Sequence, residues 1–137
     1  MSYTNTDLVE VRTINDDHKA IRARAFIAKD TLLGFFDGKA MLIDLDRKDD
    51  LDDFWWRQSV HLKLIGSELL CFLPTETPDG IDFLNHSCRA NTRVEDQIYV
   101  FADRDIEPGE DLTADYRTFN LVPEGKMCWC PEPLCEI

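Results

Sequence analysis

The apolar residues of this chain are grouped in short segments that turn-forming residues separate. Residues 8–14 alternate apolar and polar side chains, which is typical of a half-buried strand. Further candidate strands lie at residues 32–38, 41–45, 98–102 and 112–116, and residues 54–73 indicate a short helix or turn followed by two strands. None of these segments approaches the roughly 18–20 apolar residues that a membrane-spanning helix needs. The pattern predicts a mainly β fold with little helix and no internal repeats.

The length and charge of the chain narrow its class. Its 137 residues indicate one domain, and a hydrophobic content of 44% indicates a folded chain. The formal net charge is −12. Six of the ten residues from 44 to 53 are Asp, which predicts a solvated loop or a helix start, or else a surface that attracts basic partners. Binding to a phosphate backbone requires cationic side chains instead. We therefore expect a basic protein partner, no direct nucleic-acid contact and no membrane association.

Five cysteines stand at positions 71, 88, 128, 130 and 135, and their odd number and the absence of a secretory signal disfavour a disulfide framework. The last three lie within eight residues, a close spacing that is typical of metal-binding thiolates. Zinc usually takes four ligands, so these three cysteines require a fourth ligand from elsewhere in the chain. Cys88 lies in a polar stretch and is the better fourth ligand, because Cys71 lies in an apolar run and is most simply a core residue. Two alternatives stay open, a redox pair of Cys128 and Cys130 or a C-terminal tail without structure.

Two polar segments contain the other candidate functional residues. Residues 85–91 are Asn-His-Ser-Cys-Arg-Ala-Asn, which alone predict only a turn. Residues 106–116 are Ile-Glu-Pro-Gly-Glu-Asp-Leu-Thr-Ala-Asp-Tyr, which predict a turn and a strand that ends in a tyrosine. A nucleophilic pair of His86 and Cys88 is disfavoured, because side chains two residues apart need not converge and no third group orients them.

Together, these two segments and the cysteine tail resemble the SET domain of protein lysine methyltransferases with its post-SET segment. The motifs Asn-His-Ser-Cys-x-x-Asn, Asp-Ile-x-Pro-Gly-Glu-x-Leu-Thr-x-Asp-Tyr and Cys-x-Cys-x4-Cys follow one another from Asn85 to Cys135. The resemblance implies a SET-domain fold of small β-sheets with a C-terminal pseudoknot over residues 1–121, and a zinc-binding post-SET tail over residues 122–137. It also implies S-adenosyl-L-methionine as methyl donor and a lysine side chain as acceptor, which meet in a narrow channel.

The resemblance also implies roles for individual residues. Tyr116 would lie where cofactor and substrate meet and would align the amine, the alternative being a core aromatic residue. Asn85 and His86 match the pair that binds the cofactor and supports catalysis. Trp129 would either stack on the adenine of the cofactor or pack against the zinc site. The implied zinc ligands are Cys88, Cys128, Cys130 and Cys135.

Four features depart from the family pattern. Arg22-Ala23-Arg24 stands where the family usually has Gly-x-Gly, which lets the backbone approach the cofactor closely. Asp82 replaces a common arginine, and Phe36 replaces a channel tyrosine, so that the channel loses one hydroxyl. Ala114 replaces a Phe or Tyr, and its small size leaves space for higher methylation states of the lysine.

We therefore expect an S-adenosylmethionine-dependent methyltransferase that acts on lysine side chains of a basic protein such as a histone or histone-like protein. The alternative is a zinc-stabilised SET-like binding module for basic segments, which lost efficient catalysis together with its glycines. A bare domain of this kind is more typical of bacteria or viruses than of animals. A cytoplasmic location in a bacterium is the default expectation, and the host nucleus is the expectation for a viral protein or an effector.

Overall fold

The computed structural model describes residues 2–122, except for the side chains of residues 53 and 54. Most of the regular structure in this part of the chain is β-strand, as the sequence predicts. The strands are β1 (Tyr3–Thr4), β2 (Val9–Asn15), β3 (His18–Ala23), β4 (Leu32–Phe35), β5 (Lys39–Asp44), β6 (Val60–Ile65), β7 (Glu68–Leu73), β8 (Asn85–His86), β9 (Thr92–Glu95), β10 (Tyr99–Ala102) and β11 (Asp111–Ala114). The helices are α1 (Asp53–Arg57) and 3₁₀ segments at Leu45–Asp50, Gly80–Phe83 and Tyr116–Thr118. Between residues 2 and 122, no helix has the length and apolar character that crossing a membrane requires.

The described strands form three small sheets. One has the order β1-β4-β10-β9, the second β2-β3-β11-β8 and the third β5-β7-β6. All pairs are antiparallel except that of β8 with β11. Gly34 of β4 allows β1 to join the first sheet, because a Cβ atom there would lie 2.3 Å from the Tyr3 carbonyl oxygen.

The main core joins the two four-stranded sheets in one hydrophobic cluster. It contains Val9, Ile21, Ala23, Ile27, Leu33, Ile81, Leu84, Val100, Ala102, Ile106, Leu112 and Ala114, all buried. Ile27 and Ile106 also form an isolated antiparallel bridge, with N–H···O distances of 2.9 and 2.8 Å. This bridge explains why Ile27 is buried without belonging to a strand, whereas its neighbour Phe26 is exposed.

The three-stranded sheet has its own smaller cluster, which Leu69, Cys71 and Leu73 of β7 form. The prediction that Cys71 is a core residue is confirmed, since its side chain is fully buried. Leu121 and Val122 pack against this cluster, so the chain returns to the small sheet after the last 3₁₀ segment. The aspartate-rich segment between β5 and α1 forms a 3₁₀ helix that has no buried residues.

The sequence pattern located seven of the eleven described strands but not the two-residue strands β1 and β8, nor β3 and β9. In β3 the burial order is irregular, because Ala20, Ile21 and Ala23 are all buried while charged residues lie among them. The strand pairs on both sides, with β2 and β11, so burial of its small apolar residues does not follow a simple alternation. In β9 only Thr92 is buried, and four residues are too few for an alternation of apolar and polar side chains to be recognised.

We expect Ile21→Ala to lower the free energy of unfolding by about 2–5 kcal/mol, because the side chain is fully buried in the main core. Ile14 is the matched control in the same β2–β3 hairpin, with 43% of its side chain exposed. Ile14→Ala should change the value by less than about 1 kcal/mol. Urea unfolding followed by circular dichroism measures both, and equal losses would contradict the proposed core.

Candidate active site

The parallel pairing of β8 and β11 brings the two polar sequence motifs together. Thr113 pairs with Asn85, and the Ser87 N–H donates to the Ala114 carbonyl at 3.0 Å. Asn91 fixes the same strand through its buried amide. Its Nδ2 donates to the Asp111 carbonyl at 2.8 Å, and its Oδ1 accepts the Thr113 N–H at 2.9 Å. Asn91 therefore holds the end of the first motif against the strand of the second.

Asn85 connects β8 to the start of β3. Its Nδ2 donates to the Lys19 carbonyl at 3.0 Å, and its Oδ1 lies 3.3 Å from Nε2 of His18. The ammonium group of Lys19 lies 5.3 Å from the ring centroid of Phe83, within cation–π range. An amide, an imidazole and an ammonium group thus lie together beside β8.

The predicted counterpart of the Gly-x-Gly motif lies further along β3. Arg22 makes an ion pair with Glu10, with 2.7 Å between Nε and Oε1. Ala23 is buried in the main core, and Arg24 donates from Nη1 to the Thr6 carbonyl at 2.8 Å. Arg22 and Arg24 are thus directed toward β2 and the N-terminal segment, and Ala23 toward the core.

The strand register explains this placement. Arg22 of β3 pairs with Asp111 of β11, whereas β8 pairs with the last two residues of β11. The structure therefore brings His18 and Lys19 to the site, and not residues 22–24. Sequence reasoning missed both residues, although the turn signal at 15–17 (Asn-Asp-Asp) indicates that a new strand begins at position 18.

His86 connects the first motif to the backbone of the second. Its Nδ1 accepts the backbone N–H of Tyr116 at 3.0 Å, so the neutral ring carries its proton on Nε2. Nε2 lies 3.5 Å from Sγ of Cys88, and the two side chains converge, contrary to the expectation from their spacing, because the chain turns directly after β8. The pKa of His86 is lowered, mainly because the ring is buried. The negative charge of Asp115 raises this pKa, and the positive charge of Arg117 lowers it further.

Tyr116 lies in the middle of an aromatic group. Its ring centroid is 5.2 Å from that of His86 and 5.6 Å from that of Phe119, in tilted and T-shaped arrangements. Its hydroxyl donates to the Leu84 carbonyl oxygen in a short hydrogen bond. Burial raises the pKa of Tyr116 to about 12, so the phenol is protonated at neutral pH. With its proton engaged by Leu84, the phenolic oxygen can still accept a hydrogen bond from an amine.

Asp115 holds the short 3₁₀ segment that begins at Tyr116. Its side chain accepts the Arg117 backbone N–H at 3.1 Å and forms an ion pair with the Arg117 guanidinium at 2.6 Å. The hydrogen bond from Arg117 is the main reason that the pKa of Asp115 is lowered. The carboxylate is therefore charged at neutral pH and caps the turn that orients the tyrosine.

A cavity of about 120 Å³ lies beside Tyr116. Its lining residues are Phe36, Arg57, Gln58, Ser59, Val60, His61, Asp82, Tyr116, Phe119 and Asn120. Phe36, a predicted channel residue, thus lies at the same cavity as Tyr116. Ala114 is fully buried in the main core and is not among the described residues that line this cavity.

The family model for the SET domain matches residues 18–117, most of the chain. The chain belongs to the SET-domain family. The match begins at His18, the residue that lies beside Asn85, and ends one residue after Tyr116. The matched region thus contains every described residue of the polar and aromatic groups around β8 except Phe119.

Curated proteins with similar sequences include histone-lysine methyltransferases. An H3 lysine-36-specific histone-lysine N-methyltransferase of Schizosaccharomyces pombe is 38% identical over 60 residues, which are 39% of this SET-domain chain and 8% of the relative. The protein of the same description from Saccharomyces cerevisiae is 25% identical over 84% of the chain and 17% of its own length. The histone-lysine N-methyltransferase ASHR3 of Arabidopsis thaliana is 44% identical over 61 residues, 39% of this chain and 12% of the relative. The SET-domain chain therefore spans only a small part of the relatives it matches.

The remaining predicted site residues lie outside the described part of this SET domain. They are the proposed zinc ligands Cys128, Cys130 and Cys135 and the proposed adenine contact Trp129. Cys88 is described and is half-buried after β8. Among residues 2–122, no group of three or more His, Cys, Asp or Glu side chains is arranged to hold a metal ion.

We expect one tyrosine of this SET domain to ionise near pH 12, because the Tyr116 hydroxyl is buried against the Leu84 carbonyl. Ultraviolet titration at the phenolate band measures this ionisation. The component near pH 12 should disappear in Tyr116→Phe and should persist in Tyr99→Phe, whose ring is exposed. Persistence of the component in Tyr116→Phe would show that the hydroxyl is not buried in this way.

Proposed function

We propose that this chain is an S-adenosylmethionine-dependent methyltransferase that acts on lysine side chains of a basic protein, such as a histone or histone-like protein. The observation that carries the proposal is the position of Tyr116. This residue, whose hydroxyl is buried and protonated, lines a small cavity together with Phe36 and Phe119. Several proteins of similar sequence are histone-lysine N-methyltransferases, which supports a lysine acceptor on a histone.

Methyl transfer to an amine needs a neutral nitrogen that points its lone pair at the methyl carbon. Loss of water against Phe36 and Phe119, together with the positive charge of Arg57, would lower the pKa of a lysine that enters the cavity. The Asp82 carboxylate, which also lines the cavity, would act in the opposite direction. The Tyr116 oxygen would accept one N–H of the amine, because its own proton is bound to the Leu84 carbonyl. This hydrogen bond would fix the direction of the lone pair, which is the main requirement of an in-line displacement.

The groups beside β8 fit the chemistry of the proposed methyl donor. His18 and Asn85 offer imidazole and amide groups for polar and adenine contacts, and Lys19 offers an ammonium group for a carboxylate. Bound there, S-adenosylmethionine would supply an electrophilic methyl group on a sulfonium sulfur. Asn85 would hold it directly. His86 would support the site from behind, because its Nδ1 keeps the Tyr116 backbone in place and its Nε2 faces Cys88.

The charge of the chain supports a basic substrate. A net charge of −12 attracts segments rich in Lys and Arg and accelerates their encounter with the site. The exposed aspartates of the 3₁₀ segment at Leu45–Asp50 lie just before α1, whose last residue, Arg57, lines the cavity. We therefore propose that basic residues flanking the acceptor lysine contribute to binding, without a direct contact to nucleic acid.

We expect Tyr116→Phe to lower the rate of methyl transfer by about 10²–10³, because it removes the group that orients the amine. Binding of S-adenosylmethionine, measured by calorimetry, should remain, since the hydroxyl does not belong to the polar groups beside β8. Methyl transfer to mixed histones, measured with a labelled donor, is the readout.

Tyr99→Phe is the control and should keep full activity, because this ring is exposed on the first sheet. Full activity of Tyr116→Phe would contradict the assigned role. Failure of the zinc-loaded wild-type protein to bind the donor would contradict the enzyme and favour the SET-like binding module.

We also propose a zinc site in which Cys88 joins Cys128, Cys130 and Cys135. The support in the described part of the chain is the environment of Cys88. Its sulfur faces Nε2 of His86, and a hydrogen bond donated by this nitrogen would stabilise a thiolate. Such outer hydrogen bonds are typical of metal-bound cysteines.

We expect the purified protein to contain about one zinc ion per chain, as a four-cysteine site requires. Cys88→Ser should reduce the zinc content measured by atomic emission, because one of four ligands is lost. Cys71→Ala is the control and should retain zinc, since Cys71 is buried in the cluster of the small sheet. Loss of zinc in both variants, or in neither, would contradict the proposed ligand set.

A further inference from the structure

The turn between β9 and β10 has an unfavourable backbone. Asp96 and Gln97 both have left-handed backbone angles, with φ values of 53° and 67°, and the Ile98 N–H donates to the Glu95 carbonyl at 3.1 Å. Glycine or asparagine is usual at both positions of such a turn. Asp tolerates these angles better than most residues, whereas Gln has no such advantage. A residue kept in this conformation indicates that its side chain makes contacts that compensate for the strain.

The side chain of Gln97 makes two such contacts. Its Nε2 donates to the His61 carbonyl at 2.9 Å and to the Phe119 carbonyl at 2.6 Å. One amide group thus uses both of its N–H donors on the backbones of two different segments. It connects the β9–β10 turn to β6 and to the segment that follows Tyr116.

His61 makes a further contact with the same segment. Its Nδ1 accepts the Leu121 N–H at 3.1 Å, and its ring lies 5.4 Å from that of Trp56. We call these three hydrogen bonds, from Gln97 to His61 and Phe119 and from Leu121 to His61, the Gln97–His61 clamp. It holds residues 119–121 by their backbone at two points.

The held segment lies between the two hydrophobic clusters. Phe119 packs against the main core, while Leu121 packs against the cluster of the small sheet. His61, Phe119 and Asn120 line the cavity beside Tyr116. A movement of this segment would therefore move the part of the cavity wall that lies next to Tyr116.

We infer that Gln97 is a positioning residue that sets residues 119–121 against Tyr116 through the Gln97–His61 clamp. The role in catalysis rests on the proposed function, in which the lysine amine enters this cavity. Gln97 touches neither substrate nor cofactor in this account. It acts through Phe119, whose ring contacts that of Tyr116.

Two substitutions of Gln97 and one control test the clamp. Gln97→Glu keeps the size of the side chain but replaces both N–H donors with an oxygen that faces two carbonyl oxygens. Gln97→Gly removes the side chain and relieves the backbone strain. Asp96→Gly relieves the same strain at the neighbouring, exposed position and leaves the clamp intact.

We expect Gln97→Glu and Gln97→Gly to lower kcat by about 10-fold or more, since a small displacement of a positioning group is sufficient for such a loss. The KM for a lysine peptide should change by less than about 3-fold. Asp96→Gly should keep kcat and KM. Circular dichroism and the midpoint of thermal unfolding establish that the variants are folded. If Gln97→Glu does not fold, the comparison of Gln97→Gly with Asp96→Gly tests the clamp.

Amide hydrogen exchange of the free protein is the second readout and does not depend on activity. Exchange at residues 119–121 should become faster in both Gln97 variants and stay unchanged in Asp96→Gly, while the core strands β3 and β11 exchange as before. Unchanged exchange at these residues, or equal effects of all three variants, would overturn the clamp. If the wild-type protein transfers no methyl group to any lysine peptide, the proposed function fails, and the exchange data alone decide on the clamp.

Discussion

The parallel pairing of β8 with β11 is the constraint on which the rest of the site depends. It is two residues long and places Asn85 and His86 beside Thr113 and Ala114. So short a pair has little stability of its own, and the buried amide of Asn91 supports it by hydrogen-bonding the Asp111 carbonyl and the Thr113 N–H of β11. Because β11 also pairs with β3, the same strand brings in His18 and Lys19. One strand thus assembles groups from three separate parts of the sequence.

His86 then fixes the position of Tyr116 relative to this strand pair. Its Nδ1 accepts the tyrosine's backbone N–H, and its ring packs on the tyrosine ring. The Tyr116 hydroxyl returns to the Leu84 carbonyl, one residue before β8, so the two segments are bonded at both ends of the tyrosine. Burial keeps this hydroxyl protonated, since it raises the pKa to about 12. His86, Tyr116 and the Leu84 carbonyl therefore form an uncharged, hydrogen-bonded unit within the site, which suits chemistry on an uncharged amine.

The strand patterns of the sequence predicted the mainly β fold, and the resemblance to the SET domain implied that Asn85, His86 and Tyr116 belong to one site. The sequence did not predict that His18 and Lys19, rather than Arg22, lie beside Asn85, since strand register depends on pairing that a single sequence does not reveal. The role of Gln97 was also not predictable. No glycine or asparagine at or beside position 97 indicates a left-handed backbone conformation there. The carbonyl groups that Gln97 binds, those of His61 and Phe119, are both more than 20 residues away in the sequence. Local patterns identify strands and turns, whereas long-range backbone contacts become visible only in the fold.

A crystal structure with S-adenosylhomocysteine and a lysine peptide would test the central claim most directly, namely that the segments joined by β8 and β11 form a lysine methylation site. We predict that the lysine nitrogen lies at hydrogen-bond distance from the Tyr116 oxygen, about 2.7–3.2 Å. The lysine side chain would lie in the cavity lined by Phe36 and Phe119, and S-adenosylhomocysteine would lie beside His18 and Asn85. Binding of either ligand at a different surface, with the cavity beside Tyr116 empty, would contradict the account.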